Sequence, residues 1–230
     1  MGITENLGLV RAKVAETAFR AGRDPAGVTI VAVSKTVEAD VIRDLHVASG
    51  HAIFGENRPQ VLRDKAKELS SLPIRWHFIG QLQTNKIKYV YPIAELIHSV
   101  DRIDLLDSFA DWARKTGRRC PCLLEVHISD EPSKNGFACD EVLDLIRRFR
   151  GCPDLDIRGM MGMAPFVADP GIIRGAFRRL FELFEASREL EGISYHALEL
   201  SMGMTDDYSI AIEEGATMVR VGRALFRDRS

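Results

Sequence analysis

Near the start of the chain, Leu7, Val10, Val14 and Ala18 fall three and four positions apart within Glu5 to Arg20, the spacing of one apolar helical face. Short apolar runs bounded by turn residues then alternate with longer helical patterns. Strands are predicted over residues 28–34, 52–55, 75–79, 96–100, 121–128, 156–161, 196–201 and 218–221. Helices are predicted between them over 39–49, 59–69, 86–91, 103–115, 140–150, 171–190 and 206–214, with only a stub after the last strand. Phe177, Leu180, Phe181 and Phe184 form an apolar stripe at helical spacing, which reads as core-facing.

Regular alternation of strand and helix implies parallel strands, because parallel neighbours need a long crossover and antiparallel ones do not. Such a chain can form an open doubly wound sheet or a closed (β/α)8 barrel of TIM type, here with an extra N-terminal helix. A count of eight strands and the lack of any composition break favour the barrel, as a single domain spanning residues 1–230.

Composition adds mainly exclusions. The 230 residues are 46% hydrophobic and 28% charged, which argues against disorder. Lys plus Arg number 31 against 33 for Asp plus Glu, so no basic excess points to nucleic acid or an anionic membrane. No apolar run approaches the ~18 residues of a membrane span, and Met1 to Arg11 is polar and mixed rather than leader-like, so a cytoplasmic protein is expected. Cys120 and Cys122 are separated by one residue, which is not the spacing of a zinc knuckle or a dithiol redox motif. With Cys139 and Cys152 they are expected to be small buried hydrophobes; on a strand the first two would share one face.

In a parallel barrel the chemistry sits at the C-terminal ends of the strands. Those ends read Ser34-Lys35-Thr36, Gly55-Glu56-Asn57, Gly80-Gln81, Ser201 to Thr205, and Arg220-Val221-Gly222-Arg223. Lys35 is either the first solvated residue after its strand or an amine partly withdrawn from water, whose lowered pKa would let it condense with a carbonyl. Between Ser201 and Thr205, Gly203 permits close backbone approach and Thr205 can cap the next helix, whose first amides would face an anion. An ordinary capped turn fits those residues as well. Gly222, after the neighbouring strand, favours the anion site, since barrels commonly build phosphate sites from the loops after strands seven and eight. His77 shares a face with Ile79 and reads as a core histidine, and Arg220 taken alone reads as a strand-end ion-pair residue.

Together, Val33-Ser34-Lys35-Thr36, Phe54-Gly55-Glu56-Asn57, the run His77 to Lys86, Leu200 to Asp207, and Val219-Arg220-Val221-Gly222 resemble the pyridoxal phosphate homeostasis protein family. The resemblance implies a monomeric barrel similar to the N-terminal domain of alanine racemase. It implies that the barrel holds pyridoxal 5′-phosphate (PLP) without a defined reaction, in vitamin B6 and amino-acid homeostasis, with apo PLP enzymes as partners. By motif, Lys35 matches the Schiff-base lysine, and Ser201, Gly222 and Arg223 match the phosphate cup with Met204 and Thr205 beside it. Arg220 matches the partner of the pyridine nitrogen, and Asn57 a polar residue near the ring. Ser133 to Phe137, with Lys134, resembles a lysine and glycine loop of the family.

The chain departs from that pattern at several positions. Arg223 replaces a usual threonine, keeping its backbone N–H and adding charge if the guanidinium turns inward. Arg58-Pro59, Met160 to Pro165 and Arg227 also differ. Two other readings compete with PLP storage. An amino-acid racemase of this type needs a second base from a C-terminal β-domain, which is not expected in a sequence ending ten residues after Arg220. A cofactor-free Schiff-base aldolase would leave the phosphate cup and Arg220 without a purpose.

Overall fold

The strand segments pair side by side and close on themselves in a computed structural model that describes residues 2–129 and 135–226. The strands are β1 (Thr29–Val33), β2 (Ile53–Glu56), β3 (Arg75–Phe78), β4 (Leu96–Val100), β5 (Cys122–His127), β6 (Phe137–Ala138), β7 (Ile157–Gly162), β8 (Tyr195–Ser201) and β9 (Met218–Val221). Their order is β4-β3-β2-β1-β9-β8-β7-β5, and the β4–β5 pairing closes the ring into an eight-stranded parallel barrel. The two-residue β6, absent from the sequence-based prediction, adds to β5 through Val126 opposite Phe137. Ala32 pairs with Phe54 on one side of β1 and with Val221 on the other, so β1 and β9 end next to each other.

The helices are α1 (Ile3–Arg20), α2 (Ala39–Ser49), α3 (Pro59–Glu68), α4 (Ile87–Val90), α5 (Ile103–Thr116), α6 (Val142–Phe149), α7 (Pro170–Ser187), α8 (Tyr208–Glu213) and α9 (Arg223–Phe226). Proline fits the first turn of α3 and α7, where its missing N–H has no intrahelical partner to lose. The extra helix has a packing role: α9 is a single turn, and α1 lies against α8 and α9, burying Leu7, Val10, Val14 and Ala18. Phe177, Leu180 and Phe184 are buried as the stripe on α7 suggests, and Phe181 is partly buried beside them.

Several details differ from the sequence reading. The first strand stops at Val33, and α7 ends at Ser187 with a 3-10 turn over Arg188–Leu190 instead of running to 190. Strand β5 begins at Cys122, one residue later than expected, with Cys120 before it. Cys120 and Cys122 are buried, with burial pushing the Cys120 thiol up to about 12, whereas Cys139 and Cys152 are only half-buried. All four are unbridged.

Inside the barrel, Val31, Leu96, Leu123, Met161 and Met218 form an apolar cluster separate from the larger core beneath the helices. Alternate residues share a face of a strand, so the next inward positions toward the C-terminal ends include His98, Glu125 and Arg220. The barrel interior is therefore apolar at its base and polar toward its mouth. Gly80, after β3, is seated against the end of β2: a Cβ there would lie 2.1 Å from the Asn57 carbonyl oxygen. Gly80→Ala should therefore displace Asn57 and destabilise the protein by about 1–3 kcal/mol in urea unfolding. Gly8→Ala on α1, where a Cβ meets nothing within 4 Å, should instead stabilise it by up to about 1 kcal/mol.

Candidate functional site

Arg220 on β9 points into the barrel and is 4% exposed. Its Nη1 donates to the Ser201 carbonyl (2.9 Å) and hydroxyl (2.7 Å), and its Nη2 donates to the Gly162 carbonyl (3.1 Å). Burial lowers its pKa to about 10, against the pull of Asp207 and Glu125, so it remains a cation at neutral pH. The Ser201 hydroxyl also bonds His98 Nδ1 (2.9 Å), and His98 Nε2 bonds His77 Nδ1 (2.9 Å). Burial holds both imidazoles neutral, His77 near 4 and His98 well below its ordinary value, with Arg220 adding to the effect at His98. The four side chains form one buried chain from β9 through β8 and β4 to β3. His77 is a core histidine as the sequence suggests. Arg220 is not a surface ion-pair residue, and Ser201 has its hydroxyl committed inside the barrel.

Lys35 follows β1, and its side chain is exposed. The idea of an amine withdrawn from water is corrected accordingly; what is buried is the support beneath it. Glu56, fully buried, accepts from the Ser34 hydroxyl (2.7 Å) and from Lys65 Nζ (2.7 Å), and Lys65 also donates to the Ser34 carbonyl (2.8 Å). This cluster ties the residue before Lys35 to β2 and α3. The other carboxylate oxygen of Glu56 has no partner among the described residues.

Gly222 packs on the end of β1, where a Cβ would lie 3.2 Å from the Val33 carbonyl oxygen, so the turn after β9 adjoins Lys35. Its neighbours Arg223 and Ala224 open α9, where backbone amides have no upstream helical carbonyl to bond. The turn after β8 is less open than the sequence suggests. Gly203 has φ +90°, and a Cβ would lie 2.6 Å from Ala211 Cβ, so glycine is required there. The helix begins at Tyr208 with Asp207, not Thr205, at its N-cap. The Asp207 and Tyr208 amides donate to the Met204 carbonyl, and the Met204 amide donates to Asp207, so these three groups do not face an anion. Met204 is exposed, while Thr205 and Asn57 are half-buried. Arg223 is ion-paired with Asp206 and half exposed, so its guanidinium is engaged by a carboxylate. Lys134 and Arg227 lie outside the described residues.

Sequence reasoning missed Glu125. This carboxyl, at the inner face of β5, is 5% exposed. Burial raises its pKa to about 7, helped by Asp101 and opposed by Arg220. It lines a cavity of about 280 Å³ at the mouth, together with Ile79, Gln81, Met163 and Met204. A hollow of about 540 Å³ at the other end of the barrel, lined by Arg11, His51 and Arg75, contains none of the strand-end residues. Among the described residues no three His, Cys, Asp or Glu side chains could hold a metal ion, and no helix is long and apolar enough to cross a membrane.

Comparison with known proteins covers nearly the whole chain. Residues 6–230 match the family model described as alanine racemase, N-terminal domain. The chain is 38% identical over 230 residues to the pyridoxal phosphate homeostasis protein of Aquifex aeolicus, covering 100% of this chain and 99% of that one. It is 39% identical to the protein of that name from Pseudomonas aeruginosa, over 99% and 96% of the two chains. The structure of PipY from Synechococcus elongatus with PLP bound superposes with a TM-score of 0.85 at 30% identity, covering 98% of this chain and all of that one (100%).

Two expectations follow from the buried charges. Lys65→Met strands the Glu56 carboxylate and should cost about 3–5 kcal/mol of stability in urea unfolding, most of it recovered when Glu56→Gln is added. Glu125, with its pKa raised from 4.5 to about 7, holds its proton more tightly folded than unfolded. Its contribution is thus full below pH ~4.5 and is lost as pH rises through about 7, a change of about 3 kcal/mol. Glu125→Gln, which stays neutral, should gain up to that amount over the unmodified protein between pH 5 and pH 8. The buried histidines act in the opposite sense, losing stability as pH falls below 6.5, but they are common to both proteins and cancel in the difference.

Proposed function

The chain belongs to the alanine racemase N-terminal domain family, and from that premise we propose that it binds PLP covalently through Lys35 and stores or buffers it in vitamin B6 homeostasis. The observation that carries this reading is the convergence of three unlike groups at one side of the mouth. Lys35 offers an exposed amine, the turn at Gly222 lies against the end of β1, and Arg220 is a buried donor between β7 and β8. These suit the aldehyde, the phosphate and the pyridine nitrogen of PLP in turn. Asn57, held by Gly80, completes the ring side, with Met204 and Thr205 flanking the phosphate.

The placement of side chains refines the roles assigned by motif. The phosphate is held by the backbone of Gly222 and Arg223, with the Arg223 side chain neutralised by Asp206. Ser201 acts one step removed: its hydroxyl and carbonyl orient Arg220. When bound, PLP supplies a conjugated ring that stabilises carbanions to the extent that its nitrogen is protonated. Guanidinium can only donate hydrogen bonds and stays charged at neutral pH, so Arg220 disfavours a proton on that nitrogen. A covalently held but weakly activated cofactor suits a carrier.

Borohydride treatment of the PLP-loaded protein followed by peptide mapping should place the phosphopyridoxyl group on Lys35. Lys35→Ala should lose the visible absorption of the covalent adduct while keeping part of the PLP through the phosphate contacts. Label confined to Lys65, Lys86 or Lys134 would overturn the assignment.

A further inference from the structure

Lys35 stands in a tight turn. The Val37 amide donates to the Ser34 carbonyl (3.1 Å), which closes residues 34–37 with Lys35 second among them. A lysine stem is long and flexible, so the reach of an exposed amine is set first by where its backbone is held. Here the holding falls to Ser34, which is bonded at every polar atom. Its amide donates to the Gly55 carbonyl (3.0 Å) and its hydroxyl to Glu56 Oε1 (2.7 Å), while its carbonyl accepts from the Val37 amide and from Lys65 Nζ (2.8 Å).

Lys65 is the unusual member of this arrangement. A lysine on an outer helix ordinarily keeps its ammonium in water, and on α3 its neighbours Arg63, Asp64 and Lys67 are exposed. Lys65 is instead 8% exposed, with Nζ also on Glu56 Oε1 (2.7 Å). Desolvation offsets much of the attraction in such a pair, and well-packed apolar side chains often hold two elements together as well. What apolar side chains could not supply is a donor to the Ser34 carbonyl.

The position of the turn matters for the chemistry of the amine. Lys35 Nζ, uncharged, adds to an aldehyde carbon, and its two hydrogens leave with the aldehyde oxygen as water while the C=N bond forms. Between groups held in place this step replaces an encounter of separate partners, and small misplacements are costly. We infer that Lys65 is a positioning residue for Lys35: through the Ser34 carbonyl it sets the turn from which the amine reaches an aldehyde, and so governs how much of the ligand is held covalently. The role rests on the reading that Lys35 holds PLP.

The test titrates the full chain, freed of carbonyl ligand by hydroxylamine, with PLP and with pyridoxine 5′-phosphate. The second probe has an alcohol in place of the aldehyde and reports the non-covalent contacts alone. The variant is Lys65→Met combined with Glu56→Gln, which strands no charge but removes the donor to Ser34. Its PLP affinity should fall at least about tenfold, while its affinity for pyridoxine 5′-phosphate stays within about twofold. Without ligand, hydrogen exchange at the Val37 amide should quicken about tenfold in the variant. Equal loss of both affinities, an unchanged PLP affinity, or unchanged exchange at Val37 would each overturn the inference. Both affinities come from one sample, so an unfolded fraction lowers the amount bound and not their ratio. Ser34→Ala, which removes only the hydroxyl tie, should show the same split and decides the matter where the double variant does not fold. Borohydride labelling of the unmodified protein keeps the two readings apart. Label on Lys35 with no split in the variant overturns the role of Lys65 alone, and label confined to another lysine overturns both.

Discussion

A guanidinium sealed inside the barrel governs the arrangement of the mouth. A charge so far from water must be surrounded by acceptors, and Arg220 finds three: two on Ser201 and one on the Gly162 carbonyl. That fixes the ends of β7, β8 and β9 relative to one another more tightly than their ladder alone. The demand then spreads. Because Arg220 can only donate, the Ser201 hydroxyl accepts, and its remaining capacity goes to His98, whose second nitrogen goes to His77. A second positive charge beside Arg220 is excluded by the same burial, so both imidazoles stay neutral and serve as couplers rather than as acids.

A different principle supports Lys35. The amine is exposed, and the fold spends its buried electrostatics one residue earlier, on Ser34, Glu56 and Lys65. A buried ion pair is poor evidence of stability, because its desolvation offsets much of the attraction. It is an effective way to hold one backbone position, since removing either partner leaves a charge with nowhere to go. The second oxygen of Glu56, without a partner among the described residues, fits that view: the carboxylate is kept for where it holds Ser34, at some loss of satisfied bonding.

The fold was legible in the sequence because parallel barrel strands are buried on both faces and stand out as apolar runs between helical patterns. The strands 96–100 and 218–221 come out with the observed limits. The interior polar residues were harder to read. His98 and Arg220 each sit two positions after an inward apolar residue, Leu96 and Met218, and Glu125 stands in the same relation to Leu123. That offset could have marked them as an inward polar layer. What no single-chain pattern could supply is which of them meet: His98 and Ser201 are 103 residues apart, and Lys65 reaches Glu56 from a helix whose surface it would ordinarily decorate. The turn after β8 misled for a related reason, since Asp207 and the Met204 carbonyl satisfy amides that the motif alone leaves open.

These features give the mouth a direction. On the side of β1 and β9 stand an exposed amine and a buried cation, Lys35 and Arg220, whereas β4 and β5 present Asp101 and Glu125. The separation is electrostatically self-consistent. Arg220 favours the ionised form of Glu125, Glu125 favours the charged form of Arg220, and burial opposes both. The carboxyl is left close to neutrality in its balance of forms while the guanidinium remains fully charged, because their ordinary pKa values start so far apart. A ligand carrying negative charge is thus drawn to a side of the mouth whose field is fixed. On the opposite side the field depends on whether Glu125 has kept its proton, so the barrel has one permanent charged wall and one that responds to pH and to the charge of whatever enters.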